Sequence, residues 1–556
     1  MTYNAIVVGS GNGACGFLSH YLGQPRNERV LVVEEGEDFF YTSDITHQNN
    51  WTESYAEGNV FKLHNALTAD GRPIISGRAC TMGGGGSINY TMIHESSEWL
   101  STHIGQTVEY WDKLKQELNG KFTRPKPQQA PSPITKSVLQ VAQNNGFKIS
   151  NNKTCHIPNF WVSDTGLLHL FPTQFDQFGQ RTNSGVSIVD WFHPPVELKT
   201  RCKVLELKFT TEPGGKAQCV GVWVQYIDTK TKEFLSLAPD GKLVLCAGAA
   251  TPRLLWPHRE ELNNQAIGQH VSDHIVLPLG IYIPDNSIAI TGRDVYIPVF
   301  ATTEWQPETQ GKATVCCFDF FSGNFEKLWF IIAHLYLAFL LPNWLKKIVI
   351  RVPWLFYLVK NAVRIFIQFV NFIINFWWDF SNLIKGKGWQ HEDINLITAI
   401  VKFNPAVDGS YQNDRSAIEL NFFGKDQNSQ FNQDKVVAKS EIAKQLPFLD
   451  GLGKQPPGIF KCFFRWLTKI PYEASQVDRY VEVYSRKFLL SEQHLSGGCL
   501  FGEAIDKGLN NPADTGKLFG SNNVYVADLS SVPLPRISPQ MTAYLVGFHV
   551  AKKLSS

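Results

Sequence analysis

Apolar runs near the N-terminus alternate with glycine-rich turns in the order strand, turn, helix, strand. Ala5–Val8 is a short apolar run that leads into the turn Gly9–Gly16 and then into the stretch FLSHYL. The segment Arg29–Gly36 (RVLVVEEG) is apolar until its acidic end, which is typical of a strand buried on both faces. This order predicts a βαβ unit, and therefore an α/β fold with a Rossmann-like parallel sheet.

The first turn has the residues of a dinucleotide site. Gly9 allows the tight turn, Gly11 lets the backbone approach a pyrophosphate, and Ala14 takes the third small position, where helix packs on strand. Asn12 and Gly13 lie at the start of the helix, whose N-terminal end stabilises negative charge. The turn is therefore predicted to bind a dinucleotide.

The acid near the end of the second strand narrows the choice of dinucleotide only slightly. Glu34 is placed to accept hydrogen bonds from an adenosine ribose, and its charge disfavours a 2′-phosphate. These residues alone leave NAD, NADP and FAD open. The alternative interpretation is a glycine-rich βα turn that binds no ligand.

A second apolar pattern occupies the middle of the chain, from Leu328 to Phe380. Aromatic and aliphatic residues there are interrupted by single cations and by Pro342 and Pro353, with Asp379 as the one acid. This pattern favours helices that lie in a membrane interface, with the cations near anionic lipid. A hydrophobic lid or oligomer interface and a true membrane span are the alternatives.

Composition excludes some classes of function. A hydrophobic content of 43% indicates a globular chain with ample core, and a formal charge of +2 gives no reason to expect a nucleic-acid partner. The ten cysteines include no CxxC pair, so we expect reduced thiols and no metal site. The strand pattern starts at Tyr3 without a signal peptide, which predicts an intracellular protein.

Five further segments, together with the N-terminal turn, resemble the glucose–methanol–choline (GMC) family of FAD-dependent oxidoreductases. The stretch that begins at His494 (HLSGGC) is most similar to the cholesterol oxidase branch of that family. The five segments are Ile75–Glu95, Lys242–Trp256, Ala266–Pro278, Gly520–Pro533 and Ile537–Leu554.

The resemblance implies FAD as the cofactor and two interleaved domains. A Rossmann-like FAD-binding domain would comprise residues 1–110, 181–284 and 485–556. Residues 111–180 would connect to an α+β substrate domain with a largely antiparallel sheet, residues 285–484, which contains the apolar helical insert 328–380.

The resemblance also assigns cofactor contacts by motif position. The pyrophosphate and ribose would be bound by the N-terminal turn and Glu34. The flavin, the adenine-side strand and the closing turn would involve Gly85, Gly86, Ser87, Asn89, Val204, Asp528 and Leu529. Covalent attachment of FAD is left open, since His64 and His94 both lie near the region where some members attach it.

The resemblance places two candidate catalytic residues near the C-terminus. His494 would lie at the reactive face of the flavin, where a histidine can accept or position a hydroxyl proton near neutral pH. Members usually carry Asn-Pro or His-Pro later in the chain, whereas this sequence has Ser538–Pro539. Ser538 can donate one hydrogen bond to a substrate oxygen but cannot act as a base at neutral pH.

The sequence therefore predicts an FAD-dependent alcohol oxidase or dehydrogenase at a membrane surface. Its substrate would be a lipophilic alcohol such as a sterol, a long-chain alcohol or a terpenoid alcohol, with oxygen or a quinone as electron acceptor. The alternatives are a different flavin reaction on a lipid, such as fatty acid photodecarboxylation or a redox-neutral lyase reaction, and a flavin- or lipid-binding protein without turnover.

Overall fold

The structure is a computed structural model that describes most of the chain. The described residues are 2–23, 28–37, 60–88, 97–118, 196–211, 215–284, 296–305, 314–324, 341–386, 395–412, 417–424, 432–456, 469–536 and 538–555, with short pieces at 140–141, 143–144, 148–149, 167–170, 458, 461–462 and 465.

The first sheet carries the predicted N-terminal unit. Its strands β10, β11, β12, β1, β2 and β9 lie side by side in that order, and β23 pairs with β12. They are β1 (Thr2–Val8), β2 (Val30–Val33), β9 (Val196–Lys199), β10 (Cys202–Thr211), β11 (Ala217–Tyr226), β12 (Lys232–Leu245) and β23 (Val524–Val526). The pairs β1–β12, β1–β2, β2–β9 and β12–β23 are parallel, whereas β10, β11 and β12 pair antiparallel. The prediction of a Rossmann-like parallel sheet is confirmed.

Helices cover this sheet because their apolar faces match its buried strands. All four residues of β2 are buried, as expected for a strand with helices on both faces. The helices include α1 (Asn12–Tyr21), α2 (Ser97–Ile104), α3 (Val108–Leu118), α4 (Ala250–Leu255) and α9 (Gln540–Leu554). Helix α9 is almost entirely buried and packs along α1, so the C-terminal segment joins the N-terminal turn in one core.

A second sheet confirms the largely antiparallel sheet that was predicted beside the first. Its order is β14, β18, β17, β16, β8 and β7, and only β7 and β8 pair parallel. The strands are β7 (Lys148–Ile149), β8 (Leu167–Leu170), β14 (Ile275–Pro278), β16 (Tyr296–Trp305), β17 (Thr314–Asn324) and β18 (Asn395–Phe403). Strand β14 precedes the predicted boundary at 285; the boundaries themselves stay predictions.

A third, mixed sheet and two short pairs complete the described strands. The third sheet has the order β13, β19, β20, β4, β5 and β22, and the pairs are β3–β6 and β15–β21. The strands are β3 (Phe61–Leu63), β4 (Ala66–Leu67), β5 (Pro73–Ile75), β6 (Gly77–Ala79), β13 (Gln269–Val271), β15 (Ile283–Pro284), β19 (Gly409–Tyr411), β20 (Ile418–Glu419), β21 (Gly453–Lys454) and β22 (Leu489–Leu490).

The apolar insert is helical where the structure describes it. Helix α5 (Asn343–Arg351) is followed by α6 (Pro353–Ile384), which begins at a proline, a residue suited to the first turn. Residues 328–340 lie outside the described part of the chain. Within that part, no helix has both the length and the apolarity that a membrane crossing requires.

Two more helices, α7 (Gln433–Leu452) and α8 (Val477–Lys487), pack together beside the second sheet. Helix α7 is capped by Asn432, whose side chain accepts a hydrogen bond from the backbone N–H of Lys435 at 3.3 Å. Asp434, in the first turn, is 2% exposed and accepts from the backbone N–H of Ala406 at 2.9 Å. Burial raises the pKa of Asp434 to about 7, and the backbone donors only partly oppose that effect.

Asp434→Asn is expected to flatten the dependence of stability on pH. Because the folded-state pKa is raised, the folded protein holds a proton that the unfolded chain has lost, so stability falls as pH rises from about 4 to about 7. The slope reaches up to ~1.4 kcal/mol per pH unit in the wild type. Urea unfolding at pH 5 and pH 7.5 measures it; an equal slope in Asp434→Asn would contradict the assignment.

Candidate active site

One elongated cavity of about 440 Å³ brings most of the predicted site residues together. Its volume lies in the range of small-molecule and cofactor sites. The predicted residues that line it are Gly9, Gly11, Asn12, Gly13, Glu34, Gly85, Val204, His494, Asp528 and Leu529. The cavity therefore joins the N-terminal turn to the segment around His494, which lies more than 480 residues later in the chain.

The N-terminal turn contributes to the lining of this cavity. Gly9 has φ +93°, and a Cβ there would lie 2.5 Å from the carbonyl oxygen of Cys246, so only glycine fits. Helix α1 starts at Asn12 after Gly11, and no side chain caps its first turn. Its N-terminal end thus remains available to the cavity, as a pyrophosphate requires. Ala14 is fully buried behind the turn and packs in the core.

Glu34 lines the cavity beside this turn but already has protein partners. Its Oε2 accepts hydrogen bonds from the backbone N–H and the hydroxyl of Ser10, at 3.0 and 2.7 Å, and its Oε1 accepts from the N–H of Gly36 at 2.7 Å. Burial raises the pKa of Glu34, and these donors oppose the rise. The carboxylate therefore both fixes the turn and retains acceptor capacity at Oε1 for a ribose.

Asp528 ties the C-terminal segment to the cavity wall. Its Oδ2 accepts from the N–H of Gly248 at 2.7 Å and from the hydroxyl of Thr251 at 2.6 Å. Its Oδ1 accepts from the N–H and the hydroxyl of Ser530 at 2.8 and 2.6 Å. Burial raises the pKa of Asp528, which these four donors counteract. Leu529 follows it and also lines the cavity.

Asp528→Ala is expected to lower the free energy of unfolding by at least about 3 kcal/mol, because four donors around the carboxylate lose their acceptor. Urea unfolding of the protein measures the change. The matched control is Asp514→Ala, since Asp514 is partly exposed and its loss should cost about 1 kcal/mol or less. Equal losses in both variants would contradict the structural role of Asp528.

The second glycine-rich segment also contributes to the cavity. Gly85 lines the cavity, whereas Gly86 and Ser87 are buried and are not among the lining residues. A Cβ on Gly86 would lie 2.4 Å from Oδ1 of Asn12, and the Ser87 hydroxyl donates to the carbonyl of Met82 at 2.6 Å. Val204, on β10, also lines the cavity. Asn89 lies outside the described residues, so its predicted contact stays a prediction.

His494 also lines the cavity, and its side chain is 19% exposed. Its backbone N–H donates to Oδ1 of Asp273 at 2.9 Å. The following Gly497 has φ +82°, and a Cβ there would lie 1.9 Å from the carbonyl oxygen of His270. The glycine pair after His494 is therefore required by contact with the protein itself, in addition to any need for space at a flavin.

Two side chains with little exposure, those of His274 and Glu492, lie against His494, and Glu492 itself also lines the cavity. His274 Nδ1 lies 3.2 Å from His494 Nδ1, and Glu492 Oε2 lies 3.3 Å from the same atom. Lys402 Nζ lies 2.7 Å from Glu492 Oε1. Burial would raise the pKa of Glu492, but the Lys402 ammonium and the His494 ring lower it to about 2. Burial lowers the pKa of His274 to about 3, so that ring is neutral.

Ser538 is not brought into the cavity wall by this structure. Its side chain is buried, at 6% exposure, while the next two residues, Pro539 and Gln540, line the cavity. The sequence analysis predicted that Ser538 donates a hydrogen bond to a substrate oxygen. Because Ser538 is not among the residues that line the cavity, this structure does not support that contact. It stays a prediction.

The sequence singled out neither His274 nor Glu492 as a functional residue. Glu492 lies two positions before His494, and His274 lies in Ala266–Pro278, one of the five segments that resemble the GMC family. An acid and a histidine close to a candidate base are a usable signal, because a base is commonly oriented by a third group. His64 also lines the cavity; burial lowers its pKa to about 3. His94 lies outside the described residues.

No family model matches the chain. A curated relative does: a truncated GMC-type inactive oxidoreductase from Acanthamoeba polyphaga mimivirus is 35% identical over 69 residues. That match covers 78% of the relative and 12% of this chain. The chain belongs to the GMC-type oxidoreductase family. The resemblance stated from the sequence is confirmed at this level, and the narrower resemblance to the cholesterol oxidase branch stays a prediction.

Solved structures extend the agreement in fold to the rest of this GMC-type chain. A variant of formate oxidase from Aspergillus oryzae RIB40 is similar with a TM-score of 0.64 at 15% identity, covering 100% of this chain and 98% of the other. Pyridoxine 4-oxidase from Mesorbium loti is similar with a TM-score of 0.62 at 13% identity, covering 100% and 99%. A fungal aryl-alcohol oxidase gives 0.58 at 15% identity, covering 100% and 98%. These likenesses establish the fold.

Proposed function

We propose that this GMC-type protein is an FAD-dependent oxidoreductase that dehydrogenates a hydroxyl group of a lipophilic substrate at a membrane surface. The observation that carries the proposal is the single cavity that joins the glycine-rich turn of α1 to His494. The glycine-rich turn in its lining suits a pyrophosphate, and His494 adds a titratable side chain to the same lining. Formate, pyridoxine and aryl-alcohol oxidases share the fold.

The cofactor would lie along the whole cavity. Gly11 and the start of α1 would hold the pyrophosphate, Oε1 of Glu34 the ribose, and Gly85 would pack against the flavin. FAD, when bound, supplies a hydride acceptor for the substrate carbon. The chain's own task is then to orient the alcohol and to take its proton.

His494 would take that proton at the ring nitrogen that faces the cavity. Its Nδ1 lies within 3.3 Å of His274 and Glu492, which leaves Nε2 for the substrate. The carboxylate of Glu492 stabilises the imidazolium that forms. Ser538 is the weaker candidate for holding the substrate oxygen, directly or through a water.

The insert supports a lipid surface as the place of action. Along α6, large apolar side chains point outward: Ile365 is 67% exposed, Phe369 60%, Phe372 67% and Phe376 47%. Their spacing of four, three and four residues puts them on one face of the helix. We name these four residues the α6 stripe. Monomeric soluble proteins rarely expose so continuous an apolar patch, which marks an interaction surface.

Charge favours anionic lipid over a second copy of the chain as the partner of this face. Between residues 341 and 386 the one acid, Asp379, is buried, whereas Lys347, Arg351 and Lys385 reach the surface. Two copies meeting here would bring like charges together, while anionic headgroups would neutralise them. Trp344, Trp354 and Trp377 are also exposed, as expected at headgroup depth. The proposed location is therefore peripheral, on an intracellular membrane face.

The test is the visible spectrum of the detergent-purified protein, recorded anaerobically before and after adding lipid alcohols. Loss of the oxidised flavin band supports the proposal and ranks the substrates; re-addition of oxygen or a soluble quinone then identifies the electron acceptor. The matched controls are short-chain alcohols that carry the same type of hydroxyl group. Absence of a flavin band, or equal reduction by short and long alcohols, would contradict the cofactor or the lipophilic substrate respectively.

A second candidate reaction acts on a lipid acid rather than an alcohol. Arg253 lines the cavity and is exposed to it, so a guanidinium is present that could bind a carboxylate. Release of carbon dioxide from a fatty acid in light, without net bleaching of the flavin, would favour this reaction over alcohol oxidation. Arg253→Leu should then abolish the release while leaving alcohol-dependent bleaching in place.

A further inference from the structure

The buried side of His494 forms a defined hydrogen-bond chain. His274 Nε2 lies 3.0 Å from the carbonyl oxygen of Pro535. Because a carbonyl only accepts, that nitrogen must carry the proton of the His274 ring. The ring is fully buried, so it holds one proton, and its Nδ1 is left as a lone-pair acceptor.

The acceptor on His274 in turn determines the proton position on His494. The two Nδ1 atoms lie 3.2 Å apart, so one of them must donate, and only His494 can. The Glu492 carboxylate lies beside the hydrogen bond between the two rings. Its Oε2 is 3.3 Å from His494 Nδ1 and 3.5 Å from His274 Nδ1, so its negative charge also favours a proton on Nδ1 of His494. A neutral His494 therefore carries its proton on Nδ1 and keeps Nε2 unprotonated.

We propose that His274 and Glu492 are positioning residues that hold His494 as the Nδ1–H tautomer, with Nε2 ready to accept the substrate proton. This inference deepens the proposed function and rests on it for the role of His494. Asp273 fixes both histidines, since its Oδ1 accepts from the backbone N–H of His494 at 2.9 Å and of His274 at 2.8 Å. Lys402 keeps Glu492 ionised. These four residues are the charged or titratable groups that the described structure places against His494.

The same three side chains have the donor set of a metal site. The ligand atoms of His274, Glu492 and His494 lie within 4.8 Å of one another. The Lys402 ammonium, 2.7 Å from Glu492, already neutralises the carboxylate. A divalent cation would then add uncompensated charge to a buried cluster, which is unfavourable. We therefore assign the cluster to proton positioning.

The first measurement is the tautomer of His494 itself, independent of turnover. Long-range ¹H–¹⁵N spectra of the intact protein labelled at histidine nitrogen distinguish protonated from unprotonated ring nitrogens, and His494→Gln assigns the signal. The proposal expects neutral His494 to be protonated at Nδ1. An Nε2–H tautomer would overturn it, as would a stoichiometric transition metal in the purified protein. Failure of alcohols to bleach the flavin would instead remove the proposed function and leave this result standing.

Two substitutions of Glu492 test its role against a merely structural one. Glu492→Gln keeps the size of the side chain but removes the anion that stabilises the imidazolium, so flavin reduction by saturating alcohol should slow about 10-fold or more. Glu492→Asp keeps the anion and should retain most of the rate. A structural role predicts comparable losses in the two variants, because both disturb the contact with Lys402. Comparable losses would overturn the proposal.

A conservative rescue tests His274. His274→Phe removes one of the two acceptors beside His494 Nδ1, so the Nδ1–H share of neutral His494 should fall and flavin reduction by alcohol should slow about 10-fold or more. His274→Gln offers a carbonyl oxygen and should retain the wild-type share. Equal shares in the two variants would contradict the role of His274. If His274→Phe does not fold, the wild-type tautomer and the two Glu492 variants still decide the proposal.

Discussion

His494→Gln is expected to slow anaerobic reduction of the bound flavin by the alcohol substrate about 10²- to 10⁴-fold, while FAD remains bound. Glutamine has similar length and polarity but cannot accept a proton at neutral pH. The substitution leaves Gly11 and Glu34, which would carry the cofactor's pyrophosphate and ribose, unchanged in the cavity lining. Stopped-flow absorbance of the flavin band measures the rate.

The control for this variant is a histidine that neither lines the cavity nor belongs to the cluster. His258 packs against Phe209 of β10 with ring centroids 4.8 Å apart, and its Nδ1 lies 3.2 Å from Glu261. In His258→Gln the alcohol should reduce the flavin at the wild-type rate. Raising the pH should restore little of the lost rate in His494→Gln, because no base remains at this position. A loss smaller than about 10-fold would mean that another group takes the proton.

The N-terminal half of the site could be predicted because its determinants are contiguous. The apolar run of β1, the turn after Gly9 and the start of α1 follow one another without a break, so spacing alone defines their geometry. Glu34 is added by the neighbouring parallel strand, whose register follows from the βαβ unit. The local sequence was therefore sufficient to predict both the fold class and the part of the cavity lining that the N-terminal turn and Glu34 form.

The cluster behind His494 could not be predicted in the same way. His274 lies 220 positions before His494, and Lys402 comes from the antiparallel sheet, so their contact depends on how separate sheets pack. In sequence, a lone Glu492 or Lys402 is most often a solvated side chain. Only the burial of both, at 5% and 1% exposure, distinguishes them as part of a site.

The apolar insert could be predicted only in part. Its apolar composition predicted helices, and α5 and α6 are helical, with α6 continuing to Ile384 beyond the predicted end at Phe380. The sequence could not tell which face would be covered, because apolar residues occur all round the helix. The structure buries Lys360 and Asp379 and exposes the α6 stripe. That inversion of the usual pattern is the reason for proposing a covering partner.

Replacing all four residues of the α6 stripe with serine is expected to weaken binding to anionic vesicles at least about 10²-fold. Each large apolar side chain contributes about 1.5–3 kcal/mol when it is fully buried, and ~1.4 kcal/mol is tenfold in affinity. The fold should be retained because all four side chains are exposed already. Sedimentation with phosphatidylcholine–phosphatidylserine vesicles measures the loss.

The matched control replaces exposed apolar residues outside the insert, Trp223→Ser, Leu509→Ser and Phe519→Ser, whose side chains are 40%, 74% and 38% exposed. These changes remove a similar kind of surface without touching α6, so vesicle binding should persist. Added salt should weaken the binding of the wild type to vesicles only in part. Salt screens the contribution of the cations to the binding free energy, whereas the apolar contribution of the α6 stripe remains. A different result would contradict the proposal: the wild type does not bind vesicles but forms a dimer, and the stripe variant is a monomer. The α6 stripe would then be an interface between two copies of the chain, and the proposal of a lipid surface would be wrong.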